Sequence, residues 1–329
     1  MTNEILMNLF NQTSAGLSQG NTGIGLYLGI VDRTLAQAII TQEVQALKKL
    51  PNVFSLEDGI IGIIPFLNIL ATRQLKQPLN ALLEEVDSMI YKKVGYSKHK
   101  LDVYQSTHLS LYLAYRISMT HQAPFYKSLW TSVLSSITET ILLSFPAITS
   151  QSHHFSLNYP PAFYLLCFLF GLMSGIDHHV FLKKFIAILP YVVEYFPHSP
   201  SNKLYYYLVL QGIKKELHLN DANLDNHINL LLSSTSLNNI EEELNNKIYV
   251  EDGICGLYLL CHYLGANHSL LNKLSKFSLE QLKTSTEILR LYENPNYLAN
   301  HIGFLNGIGG ILLTSLLIRL NNIRNGFNI

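Results

Sequence analysis

Polar residues able to do chemistry gather just ahead of apolar runs in this chain. Glu251 and Asp252 precede Gly253 and the run Leu257–Leu264; Asp58 precedes Gly59; Asn306 precedes Gly307. Asp102, Asn158 and Ser199 stand before three further apolar runs, and His108, His153, His154, His198 and His301 lie near the same starts. Paired carboxylates and imidazoles are the side chains of general acid–base work and of oxygen/nitrogen metal ligation. The same carboxylates could instead cap helices, since an acidic side chain at a helix start satisfies free N–H groups and the positive dipole end. Cys167, Cys255 and Cys261 fall inside apolar runs and read as small core hydrophobes.

The residues are ordered by a repeated phrase. Leu56–Phe66 (LEDGIIGIIPF), Val250–Leu260 (VEDGICGLYLL), Leu305–Ser315 (LNGIGGILLTS) and Ser18–Leu28 (SQGNTGIGLYL) share one grammar: a polar lead, Gly-x-x-Gly, then an apolar run. Three degenerate copies without the glycines fit between Gly59 and Gly253: Gln105–Tyr115, Asn158–Leu169 and Ser199–Leu210. That gives about seven units at roughly 40–55 residue spacing, the mark of a helical repeat. Runs apolar all round are inner helices. Between them lie one-sided segments such as Leu79–Val94, with Leu79, Leu82, Leu83, Val86, Met89, Ile90 and Val94 at steps of three and four, and Thr34–Leu50; these are outer helices. The expected fold is all-α: a ring of inner helices wrapped by outer ones, one domain over residues 1–329. The glycines are expected to serve close packing, because the lysine and preceding strand of a phosphate loop are missing.

Composition narrows the function. Lys and Arg number 23 against 23 Asp and Glu, with no basic stripe, so nucleic acid is not an expected partner. The hydrophobic content of 48% raises the question of a membrane, but Ala162–Ile176 and Ile302–Ile318 are short or borderline for a span, and no transmembrane segment is expected. Met1–Phe10 lacks a leader pattern, and a cytoplasmic location is the expectation.

On the Gly-x-x-Gly phrases, above all Gly303–Leu313 (GFLNGIGGILL), the chain resembles the lanthionine synthetase C-like (LanC-like) family over essentially its whole length. The resemblance implies a double-layered α/α toroid of about seven helical-hairpin repeats, its cavity opening at the inner-helix N-termini. In the cyclase members a zinc ion at that rim activates a precursor-peptide thiol for thioether formation. The ligand positions differ here: Ser199, preceded by His198, stands where the first Cys would be, and Glu251-Asp252 where an adjacent Cys-His would be. Asn158 occupies a catalytic His position, and Asp102 matches a family acid with a one-residue shift. The resulting expectation is a zinc-free accessory protein or pseudoenzyme without a cofactor, whose partner is a precursor peptide or a peptide-modifying enzyme. Asp102, Asn158, Glu251 and Asp252 are the candidate catalytic residues, and His198, Ser199, Asp58, His301 and Asn306 the candidate binding rim. Two alternatives are an active cyclase-like enzyme with a rebuilt Asp/Glu/His site, and a carbohydrate-active toroid using Asp102 and Asp252 as paired carboxylates.

Overall fold

The computed structural model describes residues 21–32, 73–92, 101–119, 124–149, 152–174 and 178–324, with isolated positions between 34 and 62 and at 94. These residues form fourteen α-helices, and no strand occurs among them. In chain order they are α1 (Asn21–Val31), α2 (Arg73–Tyr91), α3 (Val103–Met119), α4 (Pro124–Ser144), α5 (Pro160–Met173), α6 (His178–Glu194), α7 (Pro200–Leu217), α8 (Ala222–Ser233), α9 (Leu237–Glu243), α10 (Ile254–Tyr263), α11 (His268–Thr284), α12 (Thr286–Glu293), α13 (Pro295–Asn300) and α14 (Ile308–Arg324). The all-α expectation therefore holds. The chain divides into two compact units: one of Met1–Tyr91, Leu244–His262 and Ala266–Ile329, the other of Lys92–Glu243 and Tyr263–Gly265.

In the second unit, buried and one-sided helices alternate. α5 buries nine of its residues from Ala162 to Leu172, with Pro161 beside them. α6 buries only Phe181, Phe185, Ile188 and Val192, at steps of four, three and four. α7 is again buried along most of its length, whereas α8 buries Leu224, His227, Ile228 and Leu231. The buried helices touch in sequence, α3 against α5 and α5 against α7. α6 packs behind, its Phe185 ring stacked on Phe168 of α5 at 5.5 Å and 23°. Local chemistry starts and stops these helices. Ser199 caps α7 by accepting from the Asn202 N–H at 3.1 Å, Pro200 fits the first turn, and His218 ends it in the left-handed region at φ 51°. Asp221 caps α8 in the same way through the Leu224 N–H.

The first unit follows the same rule. Ile254 to Cys261 of α10 are all buried, while α11 buries Leu274, Ser275, Phe277 and Ser278 on one side. α2 buries Leu83, Val86 and Ile90, as the periodicity predicts. Met89, expected on that stripe, is exposed, because its position lies at the edge of the face that these three residues define. α1 packs against α14, and the two meet at glycine: a side chain on Gly309 would strike the Gly23 backbone, and one on Gly23 would strike Phe304. All three cysteines are buried, and burial pushes the Cys255 thiol up to about 12. Of the Leu56–Phe66 phrase only Gly59, Ile61 and Gly62 are described, and Thr34–Leu50 lies mostly outside the described residues.

Candidate functional site

Two loops of the first unit carry the site residues, and both are built on one template. The Ile254 N–H donates to the Lys247 carbonyl at 2.9 Å, and the Ile308 N–H donates to the His301 carbonyl at 2.8 Å. A side chain on Gly253 would meet Lys247, and one on Gly307 would meet His301. A side chain on Gly256 would overlap the Val250 carbonyl, and one on Gly310 the Phe304 carbonyl. Each correspondence is an offset of 54 residues, read directly from the numbering. The second copy shares a further feature: the Gly62 N–H donates to the Gly59 carbonyl, as the Gly256 N–H does to Gly253. The glycines are thus present because backbone passes over backbone at each helix start, where a Cβ has no room.

This folding-back leaves Glu251 and Asp252 without the capping role open to them. The first helix N–H is taken by the loop's own Lys247 carbonyl. Glu251 instead reaches into the neighbouring copy, where its carboxylate accepts from the Asn306 amide. The Val250 and Glu251 N–H groups both donate to the Leu305 carbonyl, at 3.0 and 3.1 Å. Asp252 remains exposed; desolvation of its carboxyl group raises it above the ordinary range, against the lowering charge of Lys247.

His301 lies beside them in an aromatic stack. Its ring sits 4.0 Å from Tyr297 at 23° and 6.1 Å from Tyr249 at 25°. Its Nδ1 is 2.9 Å from the Tyr297 carbonyl, which can only accept, so Nδ1 carries the donated proton. Tyr297 donates its hydroxyl to Glu287 at 2.8 Å and lies under Arg290, whose guanidinium is 4.2 Å from the ring centre. Burial holds the Tyr249 phenol well above its ordinary range, so it stays a proton donor. The first unit therefore brings together Glu251, Asp252, His301 and Asn306, and adds Tyr249, Glu287 and Tyr297. Sequence reasoning passed over those three; Tyr249 alone had a signal, being next to the Val250 phrase. A set of carboxylates, one imidazole and two phenols can hold and move protons.

The second unit places Asn158, His198 and Ser199 around the start of α7. Ser199 is 2% exposed and donates to Glu243 Oε1 at 2.6 Å. The same oxygen accepts from the Phe155 N–H at 2.7 Å, and Oε2 accepts from the Ser201 N–H at 3.0 Å. Asn202 accepts from the Ser156 N–H and donates to the His154 carbonyl, and Tyr205 donates to the Leu157 carbonyl. Glu243, Asn202 and Tyr205 thereby fasten the segment that leads into α5, and Ser199 holds Glu243 in place. Asn158, on that segment, donates its backbone N–H to Ser156 Oγ at 3.2 Å. His198 is exposed, its ring 5.5 Å from that of His153. Asp102 caps α3, accepting from the Gln105 N–H at 2.7 Å. Its negative charge partly offsets the desolvation that lowers the fully buried His108 to about 4. Asp58 lies outside the described residues.

Among the described residues no three His, Cys, Asp or Glu side chains stand together so as to hold a metal ion. No described helix is long and apolar enough to cross a membrane. No family model, curated protein or solved structure matches the chain.

Proposed function

We propose that the protein is a LanC-like α/α toroid that binds a precursor peptide or a peptide-modifying enzyme during ribosomal-peptide maturation, without zinc chemistry of its own. The observation that carries the ring reading is the meeting of the first and last phrases, α1 against α14 with Gly23 on Gly309. A closed ring requires this contact between chain-distant copies. The 54-residue template shared by the last two copies supports the same reading.

The donor chemistry at the family's ligand positions does not fit zinc. Ser199 supplies a hydroxyl already donating to Glu243 and accepting from the Asn202 N–H. Glu251 is tied to the Asn306 amide, and neither thiolate nor imidazole stands at that pair. A catalytic zinc needs about three protein ligands and an open position. Elemental analysis of protein prepared without added metal is expected to find far less than one zinc per chain. Stoichiometric zinc refutes the reading.

The binding role rests on the polar loops ahead of α10 and α14. Changing both Glu251 and Asp252 to Ala is expected to weaken capture of a synthetic Cys/Ser/Thr-rich precursor peptide, while costing about 1–2 kcal/mol in lost hydrogen bonding. Normal capture by a destabilised variant makes these residues structural ties alone. A second reading, an active enzyme with a rebuilt acid–base site, is favoured by the joining of Asp252, Tyr249 and His301 in one neighbourhood. It requires His301→Gln to abolish a peptide modification seen by mass spectrometry.

A further inference from the structure

Away from those loops, the second unit has a cleft of about 670 Å³ at the C-terminal end of α7. Its walls are Gln211, Gly212, Lys214, Lys215, His218 and Leu219, with Asn220, Leu264 and Gly265 closing it. No carboxylate lines it, although acids and bases balance over the chain. We propose that this cleft binds a small molecule carrying a multiply charged oxyanion, such as a diphosphate group. The assignment is independent of the peptide-binding reading.

Three observations carry it. The first is His218, whose backbone lies at φ 51°. A helix-ending residue in that region is usually glycine, because a Cβ is strained there. Gly265 on the facing wall, at φ 74°, follows that usage, with open space where a side chain would stand. At 218 the chain instead keeps an exposed imidazole facing the cleft, in spite of the strain. The second is the state of the cations. Lys214 is held in place by an ion pair with Asp225, whereas Lys215 forms no ion pair among the described residues. Lys215 thus offers a charge uncommitted to protein. The third is the helix end itself. Free carbonyls at a C-terminus repel anions. Here the Lys214 carbonyl accepts from both the His218 and Leu219 N–H groups, and the Lys215 carbonyl accepts from His218. Two of the last four carbonyls are thus taken up, and Lys, His, Gln and Asn donors line the cleft. A volume in this range accommodates an organic molecule rather than a single ion.

Inorganic diphosphate is the probe, titrated calorimetrically into the full chain at low ionic strength, where exposed charges act most strongly. Saturable binding is expected, weakened about ten-fold or more by Lys215→Ala, the loss that follows removal of one charge-assisted contact. His218→Gly is the second variant. It relieves the left-handed strain, so it is expected to melt at the same temperature or higher while binding diphosphate more weakly. Citrate in a parallel titration separates a general polyanion site from a phosphoryl-selective one: binding of both probes, each reduced by Lys215→Ala, supports the oxyanion class. Two results overturn the proposal: no saturable binding of either probe, or binding that both variants leave unchanged.

Discussion

At the scale of single residues, the sharpest constraint is the absence of a Cβ. At Gly256 and Gly310 the carbonyl six residues earlier fills the space that a methyl group would need, and that carbonyl is backbone and cannot turn aside. Gly256→Ala is therefore expected to cost about 3 kcal/mol or more, as strain at a site that cannot relax. Gly265→Ala meets no neighbour, has only its positive φ to overcome, and is expected to cost about 1 kcal/mol. Urea unfolding of the two variants checks the order, and equal losses would mean that backbone conformation, not crowding, explains the phrase. Glu243 is the counterpart among polar residues. It accepts from a hydroxyl and two N–H groups. Glu243→Ala strands three donors and is expected to cost about 3–5 kcal/mol. No feature of the sequence announces Glu243. It ends the acidic run Glu241–Glu243, which reads as a solvated face, and its partners lie 42, 44 and 88 residues away. Pattern reading sees spacing along the chain and has no access to such distant pairings.

At the scale of elements, most of the organisation was legible, for a physical reason. A helix buried on all sides must be apolar on all sides, and one buried on a single side must alternate at three and four. The apolar runs beginning at Gln105, Asn158 and Ser199 accordingly coincide with α3, α5 and α7, although their glycines are lost. What was not legible is which polar group serves each helix start. Asp102 and Ser199 do cap their helices, but Glu251 and Asp252, with equally suitable side chains, do not, because the loop turns its own carbonyl onto the first N–H. Only the backbone path distinguishes the two cases. α6 tests the element-level reading directly. Phe185 is fully buried against Phe168, and its neighbour Ile186 is 52% exposed. Phe185→Ala is expected to cost about 3–5 kcal/mol, the range for deleting a buried aromatic ring. Ile186→Ala is expected to stay within about 0.5 kcal/mol. Thermal or urea unfolding that ranks them the other way would reverse the inward face of α6.

At the scale of the whole molecule, charge balance conceals a dependence on pH. The chain carries 13 histidines, and their ordinary pKa near 6.5 leads composition to suggest that all of them take up protons in mild acid at no cost to the fold. His108 breaks that expectation. Burial between Tyr104 and Phe163 lowers it from 6.5 to about 4, Asp102 opposing the shift only in part. His227, packed against Tyr206 and Phe196, is lowered by the same cause. The sign follows from proton counting. Between the folded and unfolded values the unfolded chain binds the proton and the folded chain does not, so the unfolded state is stabilised relative to the folded one as pH falls. Stability is whole above about 6.5, declines as pH drops toward about 4, and levels off below. The His108 shift alone amounts to about 3 kcal/mol at the bottom of that window, at about 1.4 kcal/mol for each unit. Asp252, raised in the folded state, works the other way, but it is exposed and its part is small. Urea midpoints measured from pH 7.5 to 4.5 are therefore expected to fall steadily, and His108→Gln to flatten the lower half of the curve. A wild-type midpoint independent of pH across that range would mean that His108 is solvated, and with it the packing of α3 against α5 that buries the ring.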